Sequence, residues 1–258
     1  MSVESCSETV ARGDPDRFLS AMAAEPEDRA RLMPLYAFNL EIARAPWVSQ
    51  EPLIAQMRLQ FWHDALDALR GDAPVPAHEV MDPLAQLVRA QALPIAPLQA
   101  MVAARQHDIE RAPFDDAGAL WAYLDATAGN LMWVAARALG AADGAEPVVR
   151  DMAAASGLAA WLVAVPALEA RGRRPLADGH PQAVAELARE GLAALRRARA
   201  RRSEVARRAA PALLAGWRAG PLLRQAAAEP GRVGAGQLVQ SEFARRGSLL
   251  LRSATGRW

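Results

Sequence analysis

The sequence predicts an all-α protein, on three observations. Ala, Leu and Arg dominate the 258 residues, whereas tyrosine occurs only twice, phenylalanine five times and β-branched residues are few, which is typical of helices rather than sheets. Apolar residues recur at helical spacing along most of the chain, and the turn signals between these stretches are short. Because this patterning is continuous, we expect one helical domain rather than two.

Prolines and capping residues mark the first helices. Asp14 before Pro15 suits an N-cap followed by a proline in the first helical turn. The second helix should begin at Pro26 and end before Pro46, and Ser49 is expected to cap the third. This third helix should cover residues 50–70. Further helices are expected over residues 83–92, 97–111, 116–139, 151–168, 181–208, 211–228 and 235–252. The segment 151–168 is nearly all apolar, which predicts a buried central helix.

The N-terminal region and the single cysteine bear on location. We expect residues 1–13 to be a flexible leader and residues 14–258 to be the folded domain. Cys6 is the only cysteine, so neither an intrachain disulfide nor a cysteine cluster for zinc can form, which favours a reducing, cytoplasmic location. The start of the chain lacks the apolar core of a signal peptide, and we expect no membrane span, so membrane attachment would be peripheral, on the inner membrane.

Positive charge is concentrated towards the C-terminus. All 30 basic residues are arginines, and residues 189–258 hold fifteen arginines against four glutamates. The segment 189–208 can form an amphipathic helix with a cationic face, which would suit an anionic membrane surface. Nucleic acid is not an expected partner, because aromatic residues are not interleaved with these arginines.

Four short stretches, taken in order, resemble the squalene/phytoene synthase family. They are residues 33–38 (MPLYAF), 57–62 (MRLQFW), 123–130 (YLDATAGN) and 171–173 (RGR). No stretch is specific alone, but the ordered set is. The resemblance implies an isoprenoid-synthase-like helical bundle around a central cavity.

The resemblance also identifies what this chain lacks. Family members that condense two prenyl diphosphates head to head carry two DxxxD motifs, whose carboxylates bind Mg²⁺ to neutralise the departing diphosphate. The counterpart positions, 43–47 (ARAPW) and 164–168 (AVPAL), have no carboxylate, and Glu41 and Glu169 lie just out of register. We therefore expect no cofactor, and Mg²⁺ only if these two glutamates serve as substitute ligands in an active enzyme.

A branch of the family that also lacks the aspartates is similar to this chain at residues 37–43 (AFNLEIA) and 57–62. That branch contains a mitochondrial respiratory complex I assembly factor. The resemblance implies a catalytically degenerate accessory or assembly factor, with a respiratory-complex subunit or an anionic membrane surface as its partner. Two alternatives stay open: a prenyl-diphosphate transferase with unorthodox metal ligands, and a binder of an isoprenoid lipid.

The resemblance assigns no catalytic or metal-binding residue to this chain, but it suggests residues for contact with the cavity or a ligand. For the aromatic candidates, the alternative to ligand contact is packing between helices, which also places aromatic residues at helical spacing. For the candidate glycine, the alternative is to let two helices cross closely. The arginines could bind a phosphate or lie on a solvent-exposed surface. The candidates are Arg58, Phe61, Trp62, Asp108, Tyr123, Gly129, Arg171 and Arg173.

Overall fold

Helices form the regular structure of the computed structural model, which describes residues 3–49, 51–71 and 74–258, and no strand occurs in these ranges. The all-α prediction is confirmed. The helices are α1 (Val3–Gly13), α2 (Pro15–Met22), α3 (Pro26–Arg44), α4 (Pro52–Ala68), α5 (Met81–Gln91), α6 (Ile95–Ala104), α7 (Gln106–Glu110), α8 (Ala117–Leu124), α9 (Asn130–Ala138), α10 (Glu146–Glu169), α11 (Pro181–Ala200), α12 (Ala210–Leu214), α13 (Ala219–Ala228), α14 (Gly231–Gly234) and α15 (Glu242–Thr255).

The predicted starts of the early helices are largely confirmed. The Asp14 side chain accepts a hydrogen bond from the backbone N–H of Arg17 (3.0 Å), which caps α2. The third predicted helix, which is α4 in the structure, differs slightly from its prediction. Ser49 does not cap it; its Oγ instead accepts from the backbone N–H of Glu51 (3.1 Å), and α4 begins at Pro52.

The flexible leader predicted for residues 1–13 is wrong for the part that the structure describes. Val3–Gly13 forms α1, which packs on α3 with Cys6 and Val10 fully buried. The short apolar stripe of α1 is stable here because α3 supplies the surface that covers it. Residues 1 and 2 lie outside the described residues.

Helix α10 is the predicted central helix, and α9, α11 and α13 surround it. Each of its large buried aliphatic residues stabilises the fold by about 1.5–3 kcal/mol relative to exposure. The stretch Asp143–Glu169, which contains α10, is also the one helical segment among the described residues that could cross a membrane by length and composition, with a mean hydropathy of 1.5. This differs from the sequence prediction, but neighbouring helices cover α10, and an apolar helix in that position is a core helix.

Several predicted helices are divided or shortened. The segment 97–111 is divided into α6 and α7, the segment 211–228 into α12 and α13, and the helix predicted for 181–208 ends at Ala200. The segment 116–139 is divided by a π turn, Asp125–Gly129, in which Thr127 Oγ1 donates to the carbonyl oxygen of Tyr123 (2.7 Å). The segment 235–252 is helical only from Glu242, where the Ser241 side chain accepts from the backbone N–H of Ala244 (3.2 Å). The π turn faces α10 and forms part of the wall of the cavity described next.

Candidate functional site

The expected central cavity is present, with a volume of about 330 Å³, among α2, α3, α8, α10 and α13. This volume lies at the lower end of the range for small-molecule pockets. Much of the wall is apolar, through Leu124, Ala128, Leu131, Met132, Ala159, Ala160, Val163 and Leu222. The lining suits an apolar molecule that carries a polar group.

Tyr36 from α3 supplies a buried hydroxyl to the cavity wall. Its Oη has no hydrogen-bond partner among the residues that the structure describes, and the Arg17 guanidinium lies 5.3 Å from its ring centroid. Burial raises the pKa of Tyr36 to about 12, although the positive charge of Arg17 acts in the opposite direction. Tyr36 is therefore neutral at physiological pH, with its hydroxyl buried in the wall.

A buried hydrogen-bonded cluster joins Arg105, Asp108 and Tyr123. Nη1 of Arg105 donates to Oη of Tyr123 (2.6 Å) and to Oδ2 of Asp108 (3.2 Å), and the tyrosine hydroxyl donates to the same Oδ2 (2.8 Å). Arg105 and Tyr123 also line the cavity, whereas Asp108 lies behind them. Burial and the neighbouring carboxylate raise the pKa of Tyr123 despite the opposing charge of Arg105, so the phenol keeps its proton and remains a donor.

Arg173 extends this cluster from the turn that follows α10. Its Nη1 donates to the carbonyl oxygen of Asp108 (2.6 Å), and its Nη2 lies 3.8 Å from the Asp108 carboxylate. The side chains of Arg173 and Asp108 are both only 5% exposed. Asp108 therefore neutralises two buried guanidinium groups, and Arg173 holds the wall together rather than lying on a solvent-exposed turn.

The two tyrosines of the wall should respond differently to removal of their hydroxyls. We expect Tyr36→Phe to change the free energy of unfolding by less than about 0.5 kcal/mol, because the lost hydroxyl has no protein partner. Tyr123→Phe should lower it by about 1.5–3 kcal/mol, since that hydroxyl bonds to two charged groups. Urea unfolding of both variants makes the comparison. Equal losses in the two variants would contradict the hydrogen-bond assignments.

Asp16 joins three elements at the edge of the cavity. Its carboxylate pairs with Arg218, which precedes α13, and with Arg245 of α15. Arg218 also donates through Nε to Gln240 (3.0 Å). Asp16 and Arg218 both line the cavity, so this rim carries an ion-paired carboxylate rather than a free one.

The donor groups around the cavity do not fit Mg²⁺, which requires several oxygen ligands in octahedral geometry. Across the described ranges, no three His, Cys, Asp or Glu side chains lie close enough together to hold a metal ion. Positions 43–47 form the end of α3 and the following turn, and positions 164–168 lie near the end of α10, without a carboxylate at either place. Glu41 and Glu169 are not among the residues that line the cavity.

The candidates on α4 lie away from the cavity. Trp62 is buried against Phe38, with ring centroids 5.3 Å apart, and it also contacts Phe61 (5.4 Å). Arg58 is exposed on the same helix. None of the three predicted residues Arg58, Phe61 and Trp62 lines the cavity. Trp62 packs on α3, and Phe61 packs on Trp62 and on His78 of the loop before α5.

Gly129 and Arg171 are also outside the cavity lining. A Cβ atom at Gly129 would lie 2.5 Å from Oδ1 of Asp125, which Arg150 holds in a 2.7 Å ion pair, so the glycine makes room for that pair. The Arg171 guanidinium lies 4.8 Å from the ring centroid of Trp47, a cation–π contact at the surface.

The predicted cationic face of residues 189–208 is partly neutralised within the protein. Arg197 pairs with Asp151 of α10, Arg201 pairs with Glu204, and Arg208 pairs with Asp28 of α3. These pairs explain why a count of arginines along the sequence overestimates the charge that this helix can offer to a membrane.

Sequence reasoning selected Asp108 and Tyr123 but missed Arg105 and Tyr36. Arg105 carried a usable signal, because it precedes Asp108 by three residues and an oppositely charged pair at that spacing shares a helix face. Tyr36 lies within a family-like stretch, and nothing in its sequence neighbours indicates that it would line a cavity.

Comparison with known proteins gives one family and one fold. The sequence model described as squalene/phytoene synthase matches residues 10–240. The structure is similar to that of a dehydrosqualene synthase in complex with ligand, with a TM-score of 0.81 and 15% identity over 98% of this chain and 95% of the other. A squalene synthase from Alicyclobacillus acidocaldarius gives a TM-score of 0.74 and 16% identity over 87% of this chain and 92% of that one.

Sequence relatives with names referring to complex I form a second group. The chain is 27% identical over 162 residues to NADH dehydrogenase (ubiquinone) complex I, assembly factor 6, of Bos taurus. This match covers 62% of this chain and 48% of the relative. It is 30% identical over 167 residues to the homologue of this factor in Drosophila melanogaster, covering 62% and 50% of the two chains. The matched region thus spans about half the length of these relatives.

Proposed function

The chain belongs to the squalene/phytoene synthase family, since the family model matches residues 10–240, and from that premise we propose that it acts as an accessory factor in the assembly of respiratory complex I. In this proposal the protein does not condense prenyl diphosphates. It works at the membrane that holds its client, and it retains the helical bundle of the family for a role other than catalysis.

The observation that carries the proposal is the absence of carboxylates at both metal-binding positions of the family. Residues 43–47 and 164–168 carry only Ala, Arg, Pro, Trp, Val and Leu side chains. Ionisation of an allylic diphosphate depends on cations that stabilise the departing negative charge. Without carboxylates to hold Mg²⁺, the main electrostatic assistance to that step is lost.

The arginines of the cavity do not replace the missing metal. Arg17 pairs with Asp14 (3.2 Å), Arg105 pairs with Asp108 (3.2 Å), and Arg218 pairs with Asp16. A diphosphate that entered the cavity would have to compete with these carboxylates for each guanidinium, at a cost in free energy. The charge balance of the wall therefore favours a neutral occupant over a diphosphate.

The complex I relatives supply the client named in the proposal. Their names describe assembly factors, and their similarity covers 62% of this chain. A second candidate function, the binding of an isoprenoid lipid without chemistry, is favoured by the apolar lining of the cavity. Neither of the two functions requires catalysis. In the first the protein must contact a subunit of complex I, and in the second it must contact a lipid.

Deletion of this protein from its host should lower the assembly of complex I. We expect membranes of the deletion strain to lose NADH:quinone oxidoreductase activity and the assembled complex on native gels, while succinate oxidation and the squalene and carotenoid content stay unchanged. Complementation with Glu41→Gln/Glu169→Gln should restore complex I as fully as the wild type does, because these carboxylates do not line the cavity.

Normal complex I in a clean deletion strain would reject the assembly role. Purified protein then separates the alternatives. Release of pyrophosphate from farnesyl diphosphate that requires Mg²⁺ and is lost in the Glu41/Glu169 variant would support the transferase. A prenyl lipid retained by the purified protein in native mass spectrometry, with no pyrophosphate release, would support the lipid binder.

A further inference from the structure

Helix α15 carries an apolar face that the described part of the chain leaves exposed. Phe243 is 91% exposed, Leu250 is 71% exposed and Leu251 is 67% exposed. Residues seven and eight positions apart lie on the same side of a helix, so these three side chains form one surface, here called the outer face of α15. The helix follows the region matched by the family model, which ends at residue 240.

The opposite side of α15 attaches it to the bundle. Arg245 pairs with Asp16, Leu249 is partly buried against the core, and Trp258 after the helix is 1% exposed. These contacts fix which side of the helix faces outward. The outer face is therefore a defined surface of the folded protein, and its large apolar side chains point into solvent.

A group of arginines lies at the end of α15 and on the helices beside it, here called the C-terminal arginine cluster. Arg199 and Arg202 both donate to the main-chain oxygen of Trp258 (3.2 and 3.1 Å), yet Nη2 of Arg199 and Nε of Arg202 are buried without a hydrogen-bond partner. Such unpaired buried donors are costly. The cluster consists of Arg199, Arg202, Arg224, Arg252 and Arg257.

The members of this cluster repel one another. Burial, followed by the positive charges of Arg252, Arg202 and Arg224, lowers the pKa of Arg199 to about 10. Burial and the charges of Arg202 and Arg224 likewise lower the pKa of Arg252. Like charges held together in this way create a site that an anion would stabilise.

A recess beside the C-terminal end of α15 gives an anion access to part of the cluster. It has a volume of about 390 Å³, and its charged lining consists of four arginines, Arg207, Arg208, Arg252 and Arg257, and two carboxylates, Glu25 and Asp28, of which Asp28 is paired with Arg208. Guanidinium groups match the geometry of phosphate oxygens, with two parallel hydrogen bonds from each group. Arg252 itself lies on the bundle side of α15, but Ser253, which also lines the recess, follows Leu250 of the outer face by three residues and so lies beside it on the helix surface, where the recess borders the apolar surface.

We propose that the outer face of α15 and the C-terminal arginine cluster together form a membrane-docking surface, in which the apolar side chains enter the lipid interface and the arginines bind the phosphates of anionic phospholipids. The combination favours a bilayer, because stable attachment requires an apolar and an electrostatic contribution, and both occur here side by side. The surface does not depend on the assembly role, and from the predicted cationic segment 189–208 it includes Arg199 and Arg202.

The test measures binding of the full chain to vesicles by co-sedimentation. We expect binding to vesicles of phosphatidylcholine mixed with phosphatidylglycerol and little binding to phosphatidylcholine alone. Arg252→Gln/Arg257→Gln should weaken binding by about fivefold for each arginine, and so by about 25-fold for the pair. Phe243→Ser/Leu250→Ser should weaken it by about tenfold or more. All variants should keep the wild-type circular dichroism spectrum.

Matched controls change the same chemistry elsewhere. Arg12→Gln/Arg89→Gln removes two exposed arginines from α1 and α5, and Leu53→Ser/Met57→Ser removes two exposed apolar residues from α4. Both controls should bind vesicles as the wild type does. Equal weakening by the controls, or equal binding to both kinds of vesicle, would overturn the proposal.

Two other occupants of this surface give different results. If the protein bound inorganic pyrophosphate at matched ionic strength but bound neither kind of vesicle, the arginines would form a site for a free anion. That result would reject the proposal of membrane docking. Sedimentation velocity tests whether a second copy of the chain occupies this surface. A wild-type protein that is a dimer and does not bind vesicles, with a monomeric Phe243→Ser/Leu250→Ser variant, would also reject membrane docking.

Discussion

Replacement of Asp108 by alanine should lower the free energy of unfolding by about 3–5 kcal/mol, the largest loss that we expect from a single substitution in this protein. The carboxylate is 5% exposed and compensates two buried guanidinium groups, at 3.2 Å from Arg105 and 3.8 Å from Arg173. Its removal leaves both charges buried without their partner and also removes the acceptor for the Tyr123 hydroxyl. Urea unfolding followed by circular dichroism measures the loss.

The control for this experiment is an ion pair of the same type at the surface. Glu204 pairs with Arg201 at 2.8 Å, and both side chains are more than 40% exposed. Glu204→Ala should therefore cost less than about 1 kcal/mol. If Asp108→Ala were no more costly than Glu204→Ala, the cluster would not stabilise the wall of the cavity as we describe.

Substitution of Gly157 by valine should lower the free energy of unfolding by about 3 kcal/mol. A Cβ atom at this position would lie 2.8 Å from Cβ of Ala128, so α10 and the π turn would have to move apart. Ala128 Cβ is fixed to its backbone and cannot turn aside as the end of a long side chain can. Because Gly157 and Ala128 both line the cavity, the substitution should also narrow it.

Gly247→Ala is the matched glycine control. Gly247 lies within α15, and nothing lies within 4 Å of a Cβ atom placed there. Alanine favours the helix over glycine by about 1 kcal/mol, so this variant should be as stable as the wild type or slightly more so. A similar effect of both glycine substitutions would mean that helix propensity, not the crossing at Ala128, controls the response at Gly157.

Much of the fold could be predicted because its signals are local. Asp14 with Pro15 predicted the start of α2, and the apolar run near residues 151–168 predicted the central helix. The prediction failed for α1, whose stability depends on α3 rather than on its own sequence. It also failed for residues 235–241, where helical spacing occurs but the chain forms a helix only after Ser241.

The candidate site was less accessible to sequence reasoning, since contacts between distant helices define it. Arg173 reaches Asp108 across 65 positions of the sequence, and Arg218 reaches Asp16 across 202. The family-like stretches located Tyr123 but also selected Phe61 and Trp62, which pack against other aromatic rings away from the cavity. Aromatic residues at helical spacing give the same pattern for both uses.

The pairing of Asp16 with both Arg218 and Arg245 links the cavity to the outer helix energetically. One oxygen of this carboxylate pairs with Arg218 at the cavity rim, and the other pairs with Arg245 of α15. Any displacement of α15 that withdraws Arg245 changes the electrostatic potential at the rim. Consider a molecule in the cavity whose binding free energy depends on this potential. By thermodynamic reciprocity, its binding must change the free energy of the displacement of α15 by the same amount.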